Sequence, residues 1–197
     1  MRLIDISQEL FSCRVYPGDP APEMQELLRM ERGAVCNLSA LSLCAHNGTH
    51  IDAPFHFIRD GKTVDELGLE PFVGDCFVAR REGELSAADA EVILHEAEKQ
   101  NAERRILIAG KATVTAAAAR VFALAGVLLL GNESQTVGPE EAPAEVHRIL
   151  LGRGVVLLEG LALAGVGEGK YFLSAAPLNL GGAEGAPCRA TLIAPER

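Results

Sequence analysis

The chain has 197 residues and a formal net charge of −9, with none of the clustered Lys and Arg by which nucleic-acid phosphates or anionic membrane surfaces are held. Nucleic acid and membrane are therefore excluded as the main partners. A chain of this size is expected to form one domain over residues 1–197, since domains run to roughly 100–200 residues, and to bury about 70% of its unfolded surface. With 48% hydrophobic residues, 5% aromatics and no Trp, that core has to come from Leu, Val, Ile and Ala.

In chain order, the opening Met1-Arg2-Leu3-Ile4-Asp5-Ile6-Ser7 lacks the apolar stretch of a signal peptide, because Asp5 and then Gln8-Glu9 interrupt it, and a cytoplasmic protein is expected. Leu3–Ile6 reads as a short strand. Pro17-Gly18-Asp19-Pro20 and Ala21-Pro22 mark a rigid, irregular segment. Short strands follow at Leu41–Ala45 and Phe77–Arg80. Ser86 with Asp89 three residues on forms a capping box that opens a helix through about Glu103. Ile106–Ala109 is a buried strand, Thr115–Ala125 an Ala-rich helix stopped at Gly126, and Val127–Leu130 a second buried strand. A helix from Pro143 to Gly152 leads into a strand at Val155–Leu158, and Tyr171–Ser174 and Arg189–Ile193 close the chain as short strands. This βαβ rhythm between less regular ends predicts a mixed α/β fold.

The longest apolar run, Val121 to Leu130, falls short of the ~18 residues of a membrane span. The five cysteines, Cys13, Cys36, Cys44, Cys76 and Cys188, include no C-x-x-C pair and read as reduced packing residues.

The richest segment is His46-Asn47-Gly48-Thr49-His50-Ile51-Asp52-Ala53-Pro54-Phe55-His56-Phe57, in which three of the five histidines and a carboxylate fall within eleven residues. On a helix His46 and His50 would stand about 40° apart, with Asp52 and His56 at about 240° and 280°, scattered around the axis. In an extended chain all four share one parity, and Gly48 and Pro54 also oppose a helix, so a strand running into an extended loop is expected. Imidazoles and a carboxylate on one face suit zinc, manganese or iron, and the absence of thiolates argues for a catalytic rather than a structural site. Two distant residues are candidates to complete it. Glu159 interrupts the apolar run from Val155 to Gly165, where an ionised carboxylate is costly unless paired or metal-bound. His147 lies on the preceding helix. Each also has a plainer description, Glu159 as a strand-end surface residue and His147 as an exposed helical one.

Nucleophile and phosphate chemistries find no support. Ser134 stands in Gly131-Asn132-Glu133-Ser134-Gln135 rather than in a G-x-S-x-G elbow, and neither a P-loop nor a dinucleotide glycine pattern occurs.

The segment from His46 to Phe57 resembles the H-x-G-T-H-x-D-x-P-x-H signature of the cyclase family, which includes bacterial kynurenine formamidases and isatin hydrolases. Weaker matches follow the same order: Leu3–Ser7, Tyr16-Pro17-Gly18-Asp19, His147, Leu158-Glu159-Gly160-Leu161, and Pro177-Leu178 to Ala190. The resemblance implies a swivelling β/α fold, a small mixed barrel-like β core flanked by helices, assembled as a homodimer or homotetramer. It implies two divalent ions, zinc or alternatively manganese, with His46 and His50 on the first, His147 on the second, and Asp52 and Glu159 contacting both. His56 is left as the acid/base that serves a metal-bound hydroxide. The implied substrate is a small amide, an arylformamide such as N-formylkynurenine of tryptophan catabolism or a cyclic amide, with Tyr16 as its aromatic platform in place of the usual Trp. The segment near Gly110–Thr113 is shorter than in those relatives. A cyclase or dehydratase on the same metals, or a binding protein without turnover, are the alternatives.

Overall fold

The computed structural model describes residues 1–194. Its elements are β1 (Arg2–Asp5), β2 (Glu23–Leu28), β3 (Leu38–Ser42), β4 (His50–Asp52), β5 (Val73–Arg80), β6 (Gly83–Leu85), α1 (Ala87–Glu98), β7 (Arg105–Ala109), β8 (Ala112–Val114), α2 (Ala116–Leu124), β9 (Leu129–Asn132), α3 (Ala144–Leu151), β10 (Val156–Glu159), β11 (Gly169–Ser174), β12 (Gly185–Pro187) and β13 (Thr191–Ala194). Nine strands form one mixed sheet in the order β1-β13-β11-β5-β7-β9-β10-β4-β12, curled into a half-barrel. The pairs β5–β7, β7–β9 and β9–β10 are parallel, and antiparallel strands extend the sheet on both sides.

Both faces of this sheet are buried, which is why its central strands read as unbroken apolar runs. Phe77, Ala79, Ile106, Ile108, Leu130 and Leu157 point to the side covered by α1, α2 and α3, where Ile93, Phe122 and Leu150 meet them. Their neighbours Cys76, Val78, Leu107, Leu129, Val156 and Leu158 line a second core with Ile6, Ile51, Leu173 and Leu192, on the opposite face of the sheet. Burying one such Leu or Ile contributes about 1.5–3 kcal/mol, and both cores are built almost wholly from Ala, Val, Ile and Leu, as the composition requires.

The predicted helices and strands are present, with shifted ends. Helix α1 starts at the expected cap, where the Ser86 side chain accepts from Asp89 N and the Asp89 carboxylate accepts from Ser86 N. It ends at Glu98 rather than Glu103, because Asn101 adopts a left-handed backbone (φ 52) that turns the chain toward β7. The strand expected at Val127–Leu130 runs from Leu129 to Asn132, since Val127 N still donates to Phe122 O at the helix end. The strand expected at Leu41–Ala45 is Leu38–Ser42. All five cysteines are free, but Cys76 alone is fully buried and Cys36 is exposed, so the packing role holds for Cys76 and not for Cys36. Among the described residues no helix is long and apolar enough to cross a membrane.

Candidate metal centre

The histidine segment is not a strand running into an extended loop. His46 sits on a turn in which Asn47 Oδ1 accepts from Cys44 N (2.8 Å) and Gly48 takes a left-handed φ of 65°. Only His50–Asp52 is extended, as β4, and His56 closes a 3-10 turn opened by Pro54. The four side chains still converge, but through a strand between two tight turns rather than through shared parity.

Strand β4 lies between β10 and β12. Its register sets His50 directly opposite Glu159 and Asp52 opposite Leu157, so the end of the parallel sheet delivers Glu159 to the histidine loop. Helix α3 supplies His147. The loop is fastened to that strand end: Thr49 Oγ1 donates to Gly160 O (2.6 Å), and Gln8 Nε2 donates to the same carbonyl (2.8 Å).

At the centre Asp52 uses its two oxygens in two directions. Oδ1 lies 2.9 Å from His46 Nδ1 and 3.4 Å from His50 Nε2; Oδ2 lies 3.5 Å from His147 Nε2. Glu159 repeats this, with Oε1 3.2 Å from His147 Nε2 and Oε2 3.6 Å from His50 Nε2. His50, Asp52, His147 and Glu159 are each at most 2% exposed, which disposes of the plainer descriptions of Glu159 and His147.

The tautomers are set from outside. His50 Nδ1 faces Gly48 O and His147 Nδ1 faces Pro143 O, each at 2.9 Å. A ring that donates Nδ1–H to a carbonyl turns the Nε2 lone pair inward, the arrangement of a metal-binding histidine.

Electrostatics agree. Burial alone lowers the pKa of a histidine, yet the nearby carboxylates of Asp52 and Glu159 push His50 and His147 up to about 10. Burial works against the charged form of Asp52 too, but His147, His46 and His50 hold it well below the carboxylate range. The residues thus fit divalent cations. Two overlapping triads, His46–His50–Asp52 and Asp52–His147–Glu159, each offer ligand atoms within 4.8 Å of one another, and Asp52 Oδ2 is buried without a hydrogen-bond partner. Ligands about 2.0–2.1 Å from a tetrahedral ion stand about 3.3 Å apart, close to the separations seen here.

His56 differs from the other three. Its side chain is 28% exposed, its Nε2 is 3.9 Å from Asp52 Oδ2, and it belongs to neither triad. Burial lowers its pKa, with Asp52 opposing. Its ring lies against His46 and Phe57, at centroid distances of 4.1 and 4.5 Å.

A cavity of ≈180 Å³ opens over these residues, lined also by Tyr16, Asp19, Gln135, Thr136 and Pro143. A larger cleft of ≈480 Å³ elsewhere, over Asp5, Gln8, Leu178 and Arg189, contains no imidazole. Tyr16 is held at the mouth by donating to Glu140 O at 2.7 Å, and Gln135 Nε2 donates to Arg14 O at 2.6 Å. Gln135 Oε1 and Thr136 Oγ1 are buried and unpartnered. Sequence reasoning missed Gln135, Thr136 and Glu184, the last of which stands beside His46; a polar Gln-Thr pair after the predicted strand carries no pattern that separates it from a surface loop.

The family described as Putative cyclase matches residues 4–137 of the chain. The kynurenine formamidase of Delftia acidovorans is 35% identical over 204 residues, covering 98% of both chains. That of Salinibacter ruber is 35% identical over 206 residues, covering 98% of this chain and 97% of its own. The chain belongs to the cyclase family. Among solved structures, one described as a potential metal-dependent hydrolase with cyclase activity superposes with a TM-score of 0.79 at 25% identity, covering 100% of this chain and 99% of its own. Isatin hydrolase A of Labrenzia aggregata shares the fold, with a TM-score of 0.82 at 24% identity and coverage of 99% and 94%. The cyclase-family fold is the mixed α/β core that the resemblance implied.

Proposed function

We propose that this cyclase-family member is a metal-dependent hydrolase of small non-peptide amides, an arylformamide such as N-formylkynurenine being the first substrate to try. Hydrolysis of a C–N bond follows from its kynurenine formamidase relatives, 35% identical over nearly the whole chain. The observation that carries the reading is Asp52, whose two oxygens face the two triads while Oδ2 keeps no hydrogen bond of its own. His46 and His50 would hold one divalent ion and His147 the other, with Asp52 and Glu159 reaching both. Zinc or manganese bound there would acidify water and polarise the substrate carbonyl.

The chain's own residues do the rest. His56, half-buried at the edge of the triads, takes a proton from the attacking water and gives it to the departing nitrogen, so that the C–N bond breaks to a neutral amine and a carboxylic acid, which then loses its remaining proton to solvent as the carboxylate. Such a shuttle contributes about 10²–10⁴-fold. Tyr16 and Phe57 line the same cavity and offer aromatic faces to a planar substrate. The free thiols suit a reducing cytoplasm, and a second copy of the chain covers the exposed ribbon β2–β3.

The test is metal analysis of purified protein together with hydrolysis of N-formylkynurenine, isatin and formanilide by wild type, His56→Ala and Glu159→Ala. Metal-loaded protein inert on all three would exclude the proposed substrates, and absence of transition metal from protein purified in zinc-supplemented medium would sink the metal reading.

A further inference from the structure

Each of the three imidazoles assigned to metal turns one nitrogen toward the carboxylates and the other outward. For His50 and His147 the outward nitrogen, Nδ1, meets a backbone carbonyl at 2.9 Å. For His46 the geometry is reversed: Nδ1 faces Asp52 Oδ1 at 2.9 Å and Nε2 is outward. That Nε2 is buried with no hydrogen-bond partner, and the carboxylate beside it is Glu184, with Oε1 at 3.4 Å. Among the described residues this carboxylate has no other hydrogen bond or ion pair.

The backbone under Glu184 is fixed against the ligand strand. Its carbonyl accepts from Ala53 N at 2.8 Å, and Gly185 stands opposite Asp52 in the β12–β4 pair. A Cβ on Gly185 would lie 2.8 Å from His46 Cε1 and 2.8 Å from Ile51 O. Strand β12 therefore approaches the imidazole as closely as a glycine permits, and the neighbouring side chain reaches Nε2.

We propose that Glu184 is a positioning residue for the first triad: it accepts Nε2–H of His46 and so keeps the Nδ1 lone pair of that ring directed at the ion. It does for His46 what Gly48 O and Pro143 O do for the other two rings. Carboxylates that hold the outer N–H of a metal-bound histidine fix its tautomer and raise its basicity, and losing one typically weakens metal binding 10–100-fold. The inference rests on the metal reading above.

Zinc affinity of wild type, Glu184→Ala and Glu184→Gln, measured by competition with a chromophoric chelator, provides the test. Because the side chain is 41% exposed, metal-free melting temperatures of the three proteins should agree. The alanine variant should bind about 10–100-fold more weakly, and the glutamine variant, which keeps an acceptor oxygen, should recover most of that loss. In long-range ¹H–¹⁵N spectra of the zinc-loaded protein, His46 Nε2 should appear as the protonated nitrogen in wild type and Glu184→Gln and broaden in Glu184→Ala. Unchanged affinity in Glu184→Ala, or equal losses in both variants, would overturn the proposal, the second by assigning the effect to charge alone. A wild type that binds no zinc would instead overturn the metal reading itself.

Discussion

Glu159 and His50 face each other across the antiparallel β4–β10 pair, so the register of two strands, rather than any loop, sets the 3.6 Å between Glu159 Oε2 and His50 Nε2. The other oxygen of Glu159 accepts from Val137 N at 2.8 Å and lies 3.2 Å from His147 Nε2. One buried carboxylate thus ties the histidine strand, helix α3 and the loop carrying Gln135 and Thr136. Removing it does two separable things. Glu159→Gln should lose metal from the second triad and about two orders of magnitude or more of activity, beyond the 10–100-fold typical of an outer-sphere change, while sparing the bond to Val137. Glu159→Ala should lose the same activity and, in addition, destabilise the metal-free protein by about 1–3 kcal/mol, because Val137 N–H is left buried and unpaired. Metal stoichiometry and thermal denaturation of the two variants separate the effects.

His56 should behave as a proton carrier and not as a ligand. Burial holds its pKa below the ordinary histidine value, so at pH 7 the free ring is neutral and ready to accept a proton. His56→Ala should lower kcat about 10²–10⁴-fold with metal content unchanged, and the acid limb of the kcat/KM profile should vanish with it. Loss of metal in this variant would make His56 a ligand instead.

Without metal, His50 and His147 keep their protons up to about pH 10, and both protons must leave when ions bind. Apparent metal affinity should therefore rise with pH between 6.5 and 10. Stability of the metal-free protein runs the other way. A histidine whose folded pKa is raised stabilises fully below its unfolded pKa of about 6.5 and ceases to do so as pH climbs through the folded value. The melting temperature of metal-free protein should thus fall from pH 6.5 to 10 while the increment gained on adding zinc grows. Calorimetric titrations in two buffers of different ionisation enthalpy count the protons released, and a count of zero would refute this linkage.

The members of the cluster were legible because their chemistry is unusual in place: three histidines fall within eleven residues and a carboxylate ends an apolar strand, where it is costly unless paired. The central strands were legible because a sheet buried on both faces leaves unbroken apolar runs. The path of residues 43–56 was not. Both the extended chain and the turn–strand–turn converge the same side chains, and the choice between them is made by Asn47 closing on Cys44 and by Gly48 at φ 65°, details of local hydrogen bonding. Glu184 was invisible for another reason: it reaches His46 only through the pairing of β12 with β4, and no periodicity in the sequence reports which distant strands become neighbours.

The ribbon β2–β3 forms a two-stranded sheet of its own, apart from the main one. Every residue of β2 is exposed, and Met24, Leu27, Leu28 and Leu41 show 43–55% of their surface. A lone two-stranded ribbon is marginally stable in water, and a contiguous apolar patch on a protein surface marks an interaction site. Met24 stands opposite Leu41 in this pair, so charges at both positions fall on one patch. Wild type should elute in light-scattering chromatography at twice the 20.9 kDa chain mass or a higher even multiple. The double variant Met24→Lys/Leu41→Lys should shift toward the monomer. Because both residues lie outside the metal triads, the variant should keep its bound metal, and a wild type that elutes at the single-chain mass would leave the ribbon without the partner assigned to it.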